Sequence, residues 1–437
     1  MKLNHCFFRA TLFNVFLFCF FANSYSQDTV KIMTYNLLNY SGSTIKDQSF
    51  RKIITYANPD IMVAEEVISQ FAVNNMVSNV MNYYTPGVYA AGTFLNGFDT
   101  DNAIFYRASK FTFLYNFAIQ TTLRTINVFG LVHNLSGDTI QLFGVHLKAS
   151  NSVSDQQQRL SEVNALRVFT NSLPIGSEFV VLGDFNIYTS TEPAYQRLLQ
   201  VDAGSEGYFI DPYNLTGTWN QSVYAPHHSQ STRTRAINDS GATGGLDDRF
   251  DMILNSKAIT EEGRIKYISG SLKPFGNDGN HYNDSINQRP NTAVPDSIAD
   301  ALYYGSDHLP VIALYKFDPH PNSIKIISNI VPDKFKLHQN YPNPFNPVTK
   351  IRFDVGLSDR RLPEGKAGAT LTSRSRQDVM ITVYDASGKI IKTLVNENLS
   401  PGSYETKFNA IGYASGVYFY KLSIGNFVQT KSMILLK

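Results

Sequence analysis

The chain has 437 residues, is 43% hydrophobic and 13% aromatic, and carries 38 Lys and Arg against 36 Asp and Glu. That composition excludes a disordered chain and a strongly basic scaffold for polyanions, and the length allows more than one core. Both cysteines, Cys6 and Cys19, precede residue 27, so the rest of the chain can form neither a disulfide nor a thiolate metal site.

The first segment, MKLNHCFFRATLFNVFLFCFFANSYSQ, has Lys2 and Arg9, an apolar run from Leu12 to Ala22 and the small residues Ser24 and Ser26. Residues 1–26 are therefore expected to be a secretory signal peptide cleaved after Ser26, too short to span a bilayer. No integral membrane segment is expected after its removal. Asp28 to Phe317 holds 20 Lys and Arg against 27 Asp and Glu, whereas Asp318 to Lys437 holds 16 against 9. The acidic front part lacks the basic footprint of a tight nonspecific nucleic-acid binder and suits acids gathered around a cation.

Between Asp28 and Phe317, strand-like runs (VKIMTYNLL, DIMVAEEV, IQLFGVHL, EFVVLGDF, RFDMIL, LPVIALYKF) alternate with helical segments. The clearest helix, SDQQQRLSEVNALRVFTN, places Leu160, Val163, Leu166 and Phe169 on one face, with Ser154 as the expected cap. This pattern predicts a layered α/β or α+β domain over 27–317. The polar, Gly-rich stretches from Asp211 to Gly245 and from Gly270 to Asp300 read as surface loops. Residues 318–336 read as a linker. From Leu337 onward, alternating strands predict a separate β-sandwich, with Tyr418, Tyr420, Leu422 and Ile424 on one face and a turn at Gly425 and Asn426. The composition of Ser358 to Asp378 reads as a disordered insert.

Several apolar runs in the front part end in a polar group. They are MTYNLLNY with Asn36, PDIMVAEEV with Glu65 and Glu66, GVHLKAS with His146, LGDFNI with Asp184 and Asn186, DDRFDMIL with Asp251, and GSDHLPV with Asp307 and His308. Converging strand ends would bring carboxylates, amides and two imidazoles into one cleft. Carboxylate and carbonyl oxygens suit a hard cation such as Mg²⁺. Singly, each has an ordinary reading: a solvated strand-end acid, or a histidine satisfied near the surface.

In combination and order they resemble the endonuclease/exonuclease/phosphatase superfamily, with GDFN and SDHLPV as the most specific motifs. The resemblance implies a four-layer sandwich, two packed β-sheets flanked by helices, with the active site at one edge. It implies catalytic roles for Asp184 (activating water), Asn186 (placing the phosphate), His308 held by Asp251, and His146 as a second phosphate-facing histidine. It implies a metal site of Glu66, Asn36 and Asp307 for Mg²⁺, with Mn²⁺ or Ca²⁺ as alternatives. Glu65 stands where the family has Gln, adding a negative charge. The expected activity is a secreted metal-dependent phosphodiesterase, foremost an endonuclease on DNA or RNA, with Lys148, Arg159, Arg233 and Arg235 as candidate contacts to backbone phosphates. A sphingomyelinase- or phospholipase C-like enzyme is the alternative; a surface-attached binding protein on a degenerate scaffold is the non-enzymatic one.

The stretches NYPNPFNPVTKIRF, VYDASGKIIKTLVNENLSPGSYETKFNA and ASGVYFYKLSIGNFVQTKSMILLK resemble the C-terminal sorting domain of the type IX secretion system. Over 337–437 this implies an immunoglobulin-like sandwich. It also implies recognition by the type IX machinery and delivery through the periplasm of a Gram-negative, Bacteroidetes-like bacterium to its surface or exterior.

Overall fold

In the strand Phe179–Asp184, Val180 and Leu182 pack into one apolar cluster and Phe179 and Val181 into another, so both faces of this strand are buried. The same period-two division recurs across the front part and builds its layers. The computed structural model describes residues 28–42, 44–97, 99–261, 263–317, 324–328, 331–356, 376–410 and 413–436. The expected signal peptide and nearly all of the 358–378 insert lie outside these residues.

The chain runs β1 (Asp28–Tyr40), α1 (Thr44–Ala57), β2 (Ile61–Val67), α2 (Gln70–Asn75), β3 (Tyr89–Ala91) and β4 (Asp101–Arg107). Next come β5 (Phe111–Ile119), β6 (Ile126–His133), β7 (Thr139–His146), α3 (Val153–Asn171), β8 (Phe179–Asp184), α4 (Pro193–Leu199) and β9 (Phe209–Ile210). The front part closes with β10 (Asp251–Ser256), α5 (Lys257–Thr260), β11 (Ile265–Tyr267), β12 (Lys273–Pro274), α6 (Asp296–Gly305) and β13 (Val311–Phe317). These strands form a seven-stranded sheet, β11-β13-β1-β2-β4-β3 with β12 on β13, and a six-stranded sheet, β5-β6-β7-β8-β10-β9.

Val30, Ile32, Val63 and Ile104 of the first sheet meet Phe129, Leu142, Val180, Leu182 and Ile253 of the second in one apolar layer. On the outer side of the first sheet, Met33, Tyr35 and Met62 pack against Phe50 and Ile53 of α1 and Ile298 and Leu302 of α6. On the outer side of the second, Val145, Val181 and Leu254 pack against Val163 and Leu166 of α3 and Leu198 of α4. The front part is thus α+β, with helices outside two facing sheets. Trp219 is buried in this outer cluster, edge-on to Tyr195 at 5.1 Å between ring centroids.

The α3 cap lies two residues before the expected Ser154. Ser152 accepts from Asp155 N–H while the Asp155 carboxylate accepts from Ser152 N–H, a reciprocal box that Ser154 cannot make. The stretch 211–245 is not a plain surface loop either: Trp219, His228, Ser229, Thr232 and Arg233 are all buried.

The remaining strands are β14 (Lys325–Ser328), β15 (Lys336–Leu337), β16 (Val348–Val355), β17 (Gln377–Tyr384), β18 (Ile390–Leu399), β19 (Gly402–Asn409), β20 (Gly416–Ile424) and β21 (Phe427–Leu435). They make two four-stranded sheets, β14-β19-β16-β15 and β18-β17-β20-β21, sharing one apolar core. Tyr418, Tyr420, Leu422 and Ile424 are buried in that core, and Ile424 pairs with Phe427 across the Gly425–Asn426 turn. The expected linker 318–336 contains β14, which pairs with β19, and the last residues of the expected insert, Gln377 and Asp378, begin β17.

One glycine fixes how β7 and β8 meet. Gly183 has φ +142°, and a Cβ there would lie 1.9 Å from the Val145 carbonyl oxygen. Backbone cannot yield as a flexible side chain can. Gly183→Ala is expected to lower unfolding free energy by about 3 kcal/mol or more, checked by urea denaturation; a loss under about 1 kcal/mol would show that the strands can part.

Candidate active site

The apolar layer between the sheets ends in polar residues. Along β1 the inward row runs Val30, Ile32, Thr34, Asn36, and along β2 Ile61, Val63, Glu65. Opposite them, His146 of β7 pairs in register with Asp184 of β8, which pairs with Asp251 of β10. Directly paired residues project to the same face, so His146, Asp184 and Asp251 form one row facing the ends of β1 and β2.

The backbone bends where this happens. Leu38, Asn39, Glu66 and Asn186 all have positive φ, at 51°, 50°, 58° and 51°, conformations that disfavour side chains other than Asn and Gly and that gather at functional sites. Both β1–β2 and β2–β4 break register here, and Glu66 is turned out of the inward row to lie beside Asn36.

Asp184 sits at the centre. Its Oδ1 accepts from Asn186 N–H at 3.0 Å and its Oδ2 from Asn36 Nδ2 at 3.2 Å. His146 Nε2 and His308 Nε2 each lie 3.7 Å from Oδ2. Burial, partly offset by His308 and reinforced by Asp251 and Glu66, pushes the Asp184 carboxyl up to about 7. His308 Nδ1 is 2.8 Å from Asp251 Oδ2. Burial works against the charged ring, but Asp251 and Asp184 outweigh it and hold His308 well above the usual imidazole range. His146 has no such clamp: its Nδ1 has no hydrogen-bond partner among the described residues, and burial drives it well below the usual range. One imidazole is thus charged and the other neutral.

Asn36, expected as a metal ligand, presents hydrogens instead. Its Nδ2 donates to Glu66 Oε1 at 3.0 Å and to Asp184, while its Oδ1 accepts from Leu38 N–H at 3.0 Å. It positions two carboxylates. Glu66 also accepts from Asn39 N–H at 2.8 Å and remains partly open to solvent. Asp307 is buried; Oδ2 accepts from Ala242 N–H at 2.6 Å and Oδ1 has no partner among the described residues. Asn186 donates from Nδ2 to the Leu147 carbonyl at 3.2 Å, which leaves its second amide hydrogen for a ligand. Among the described residues no group of three His, Cys, Asp or Glu is arranged around a common metal position.

Burial disfavours the charge expected from Glu65. Its side chain is fully buried, accepts from Thr34 Oγ1 at 2.7 Å, and is held by burial well above the carboxylate range. Burial thus favours the protonated acid, close in shape to the Gln that the resemblance implies at this position.

Two of the four expected phosphate contacts, Arg159 and Lys148, are engaged with acids of the fold. Arg159 is fully buried, forking onto Glu192 at 2.5 and 3.1 Å and donating to the Lys148 and Ser150 carbonyls. Lys148 Nζ lies 3.0 Å from Asp155 Oδ1 at the start of α3. Arg233 is fully buried with Nη1 2.9 Å from Asp239, while its Nε and Nη2 have no hydrogen-bond partner among the described residues. Only Arg235 is exposed.

Gln230 was not visible as a site residue. Its side-chain Nε2 lies 2.6 Å from His308 Nε2. A charged ring donates from both nitrogens, so the Gln230 amide oxygen is the group that must face it. Ser306 lies in the SDHLPV motif but was not singled out there: its Oγ donates to the Asn36 carbonyl at 2.7 Å and accepts from His308 N–H at 3.2 Å, a link across 270 residues that no local pattern shows.

Residues 339–436 match the family described as a secretion system C-terminal sorting domain, which bears out that resemblance. No curated protein matches the chain. Similar solved structures include D. rerio TDP2 complexed with single-strand DNA product, at 15% identity and TM-score 0.44, covering 66% of this chain and 98% of that one. A Bacteroides thetaiotaomicron protein of the endonuclease/exonuclease/phosphatase family has 16% identity and TM-score 0.41, covering 68% and 99%. A mannosyl-6-phosphatase of the same organism has 16% identity and TM-score 0.40, covering 65% and 99%.

Removing one partner of a buried ion pair strands the other. Arg159→Ala is therefore expected to lower stability by about 3–5 kcal/mol, seen as a fall in Tm; an unchanged Tm with weakened substrate binding would restore its place as a phosphate contact. Glu65→Gln is expected to keep both Tm and activity, because it replaces one neutral acceptor with another, and a loss of either would show that Glu65 acts as an ion.

Proposed function

We propose that the front part of the chain is a metal-dependent phosphoesterase that hydrolyses its substrate by direct attack of water. The observation that carries this reading is Asp184, a buried carboxylate with a charged and a neutral imidazole each 3.7 Å from the same oxygen. With a pKa near 7, Asp184 can take a proton from water at neutral pH. His308, kept charged by Asp251, faces the negative charge that develops on the phosphoryl oxygens. His146, neutral through Nε2, and the free hydrogen of Asn186 orient the phosphate. Glu66, partly exposed, and the unpartnered Oδ1 of Asp307 suit Mg²⁺, with Mn²⁺ or Ca²⁺ as alternatives, since such ions need one or two protein carboxylates and take water and phosphate elsewhere. When bound, the ion supplies charge neutralisation at the phosphate.

The endonuclease reading on DNA or RNA keeps the second histidine in its favour and has only Arg235 of its four expected cations exposed. The two C-terminal sheets around one core support an immunoglobulin-like sandwich that directs export by the type IX machinery to the cell surface or exterior.

Asp184→Ala and His308→Ala are each expected to lower kcat by about 10²–10⁴-fold on p-nitrophenyl phosphate or its bis-ester, with far-ultraviolet circular dichroism unchanged, and chelator is expected to abolish wild-type turnover. Activity should rise as pH passes through about 7, where Asp184 becomes the carboxylate, and fall in alkali as His308 loses its proton. Turnover retained in either variant would refute the assignment, and so would the opposite acid limb.

A further inference from the structure

Lys46 stands in the first turn of α1, where the helix dipole favours acids and works against a cation. A role in α1 itself does not account for it. Its Nζ donates to the Leu38 carbonyl at 2.5 Å and to the Leu37 carbonyl at 3.3 Å, in the bend beyond Asn36 of β1. Burial lowers the ammonium from its usual range, against the pull of Asp239, Asp307 and Glu66 and with the push of Arg233.

The bend needs a clamp. Leu38 and Asn39 have consecutive positive φ angles, and for Leu, unlike Asn, that conformation is costly and persists only where the surroundings impose it. The amides of the bend grip the site. Leu38 N–H donates to Asn36 Oδ1 at 3.0 Å, and Asn39 N–H donates to Glu66 Oε2 at 2.8 Å. Asn36 Nδ2 donates to the other Glu66 oxygen at 3.0 Å, so both oxygens of that carboxylate are fixed from this one segment. The carbonyls of the bend are what Lys46 holds.

The Leu38 side chain carries the constraint on to Asp307. A Cβ on Gly241 would lie 2.8 Å from Leu38 Cδ2 and 3.2 Å from Asp307 Cβ, so Leu38 is seated against a glycine that also adjoins Asp307. The next residue, Ala242, donates its N–H to Asp307 Oδ2 at 2.6 Å. Glu66 and Asp307, the two carboxylates suited to the cation, thus rest on the same bend.

We propose that Lys46 is a positioning residue for the cation site: by tying the Leu37 and Leu38 carbonyls to α1, it holds Glu66 and Asp307 in place for the ion. The inference rests on the phosphoesterase reading and adds to it a residue that acts through the backbone. A Lys46 that acted by charge alone would have the opposite effect. An ammonium near Glu66 and Asp307 repels Mg²⁺, so its removal would tighten binding. Loss of a group that orients metal ligands instead weakens binding, by about 10–100-fold. The sign of the change separates the two.

The test measures the Mg²⁺ Kd of the full chain by isothermal titration calorimetry, with the Mg²⁺ dependence of p-nitrophenyl phosphate hydrolysis as a second readout. Lys46→Met is expected to raise Kd about tenfold or more, and to raise the Mg²⁺ concentration for half-maximal turnover in step. Lys46→Arg, which keeps donors for the two carbonyls, is expected to restore most of the affinity. Removing a cation from the first turn favours α1, so Lys46→Met is expected to fold, and its Tm without Mg²⁺ checks this. A Kd unchanged or lowered in Lys46→Met, while the wild type binds Mg²⁺ and hydrolyses the ester, would overturn this inference alone. A wild type that neither binds Mg²⁺ nor hydrolyses the ester would overturn the phosphoesterase reading along with it.

Discussion

The register of β8 against its two neighbours decides where the polar groups of this protein meet. Gly183 lets β8 run so close to β7 that only hydrogen can occupy the space beneath the Val145 carbonyl. One residue later, Asp184 lies level with His146 on one side and Asp251 on the other. A slip by a single residue would turn that row away from β1 and β2 and into the helical layer. The identity of the site therefore depends on a backbone contact that contains none of its functional atoms.

The same geometry creates an electrostatic problem. Glu65, Asp184, Asp251 and Asp307 all end a sealed apolar layer, where unpaired charge is costly. The protein meets this in several ways at once. Glu65 stays neutral, Asp184 is poised between its two forms, and Asp251 shares a hydrogen bond with a charged His308. Asp307 keeps one oxygen without a hydrogen-bond partner among the described residues. Removing Asp251 would thus alter His308 and, through it, Asp184.

The strands and the row of polar ends were legible in the sequence because alternation is local: Val180, Leu182 and Asp184 announce their shared face within five residues. The alternation of Tyr418 through Ile424 was legible for the same reason. The partners of long side chains were not. Arg159 finds Glu192 thirty-three residues away, and nothing local distinguishes it from a cation awaiting phosphate. The buried part of 211–245 was hidden by its composition, since polar and Gly-rich chain can be buried when its groups pair internally, as His228 does with the Trp219 carbonyl at 2.8 Å. Gln230 belongs to that same non-repetitive backbone, where no periodicity tells which way a side chain points.

Trp219 is the sole tryptophan of the chain. It is buried beside the Arg249 guanidinium, 4.9 Å from its ring centroid, and Arg249 itself is forked onto Asp211 by two 2.8 Å bonds. Arg249 lies between Asp248 and Asp251 in sequence, so the indole rests against the segment that carries both. Excited selectively over the 25 tyrosines, the indole emission of this protein thus has a single origin, set against a fixed positive charge that tunes its wavelength. Any event that shifts the Asp248–Asp251 segment is written into one fluorophore, without a label.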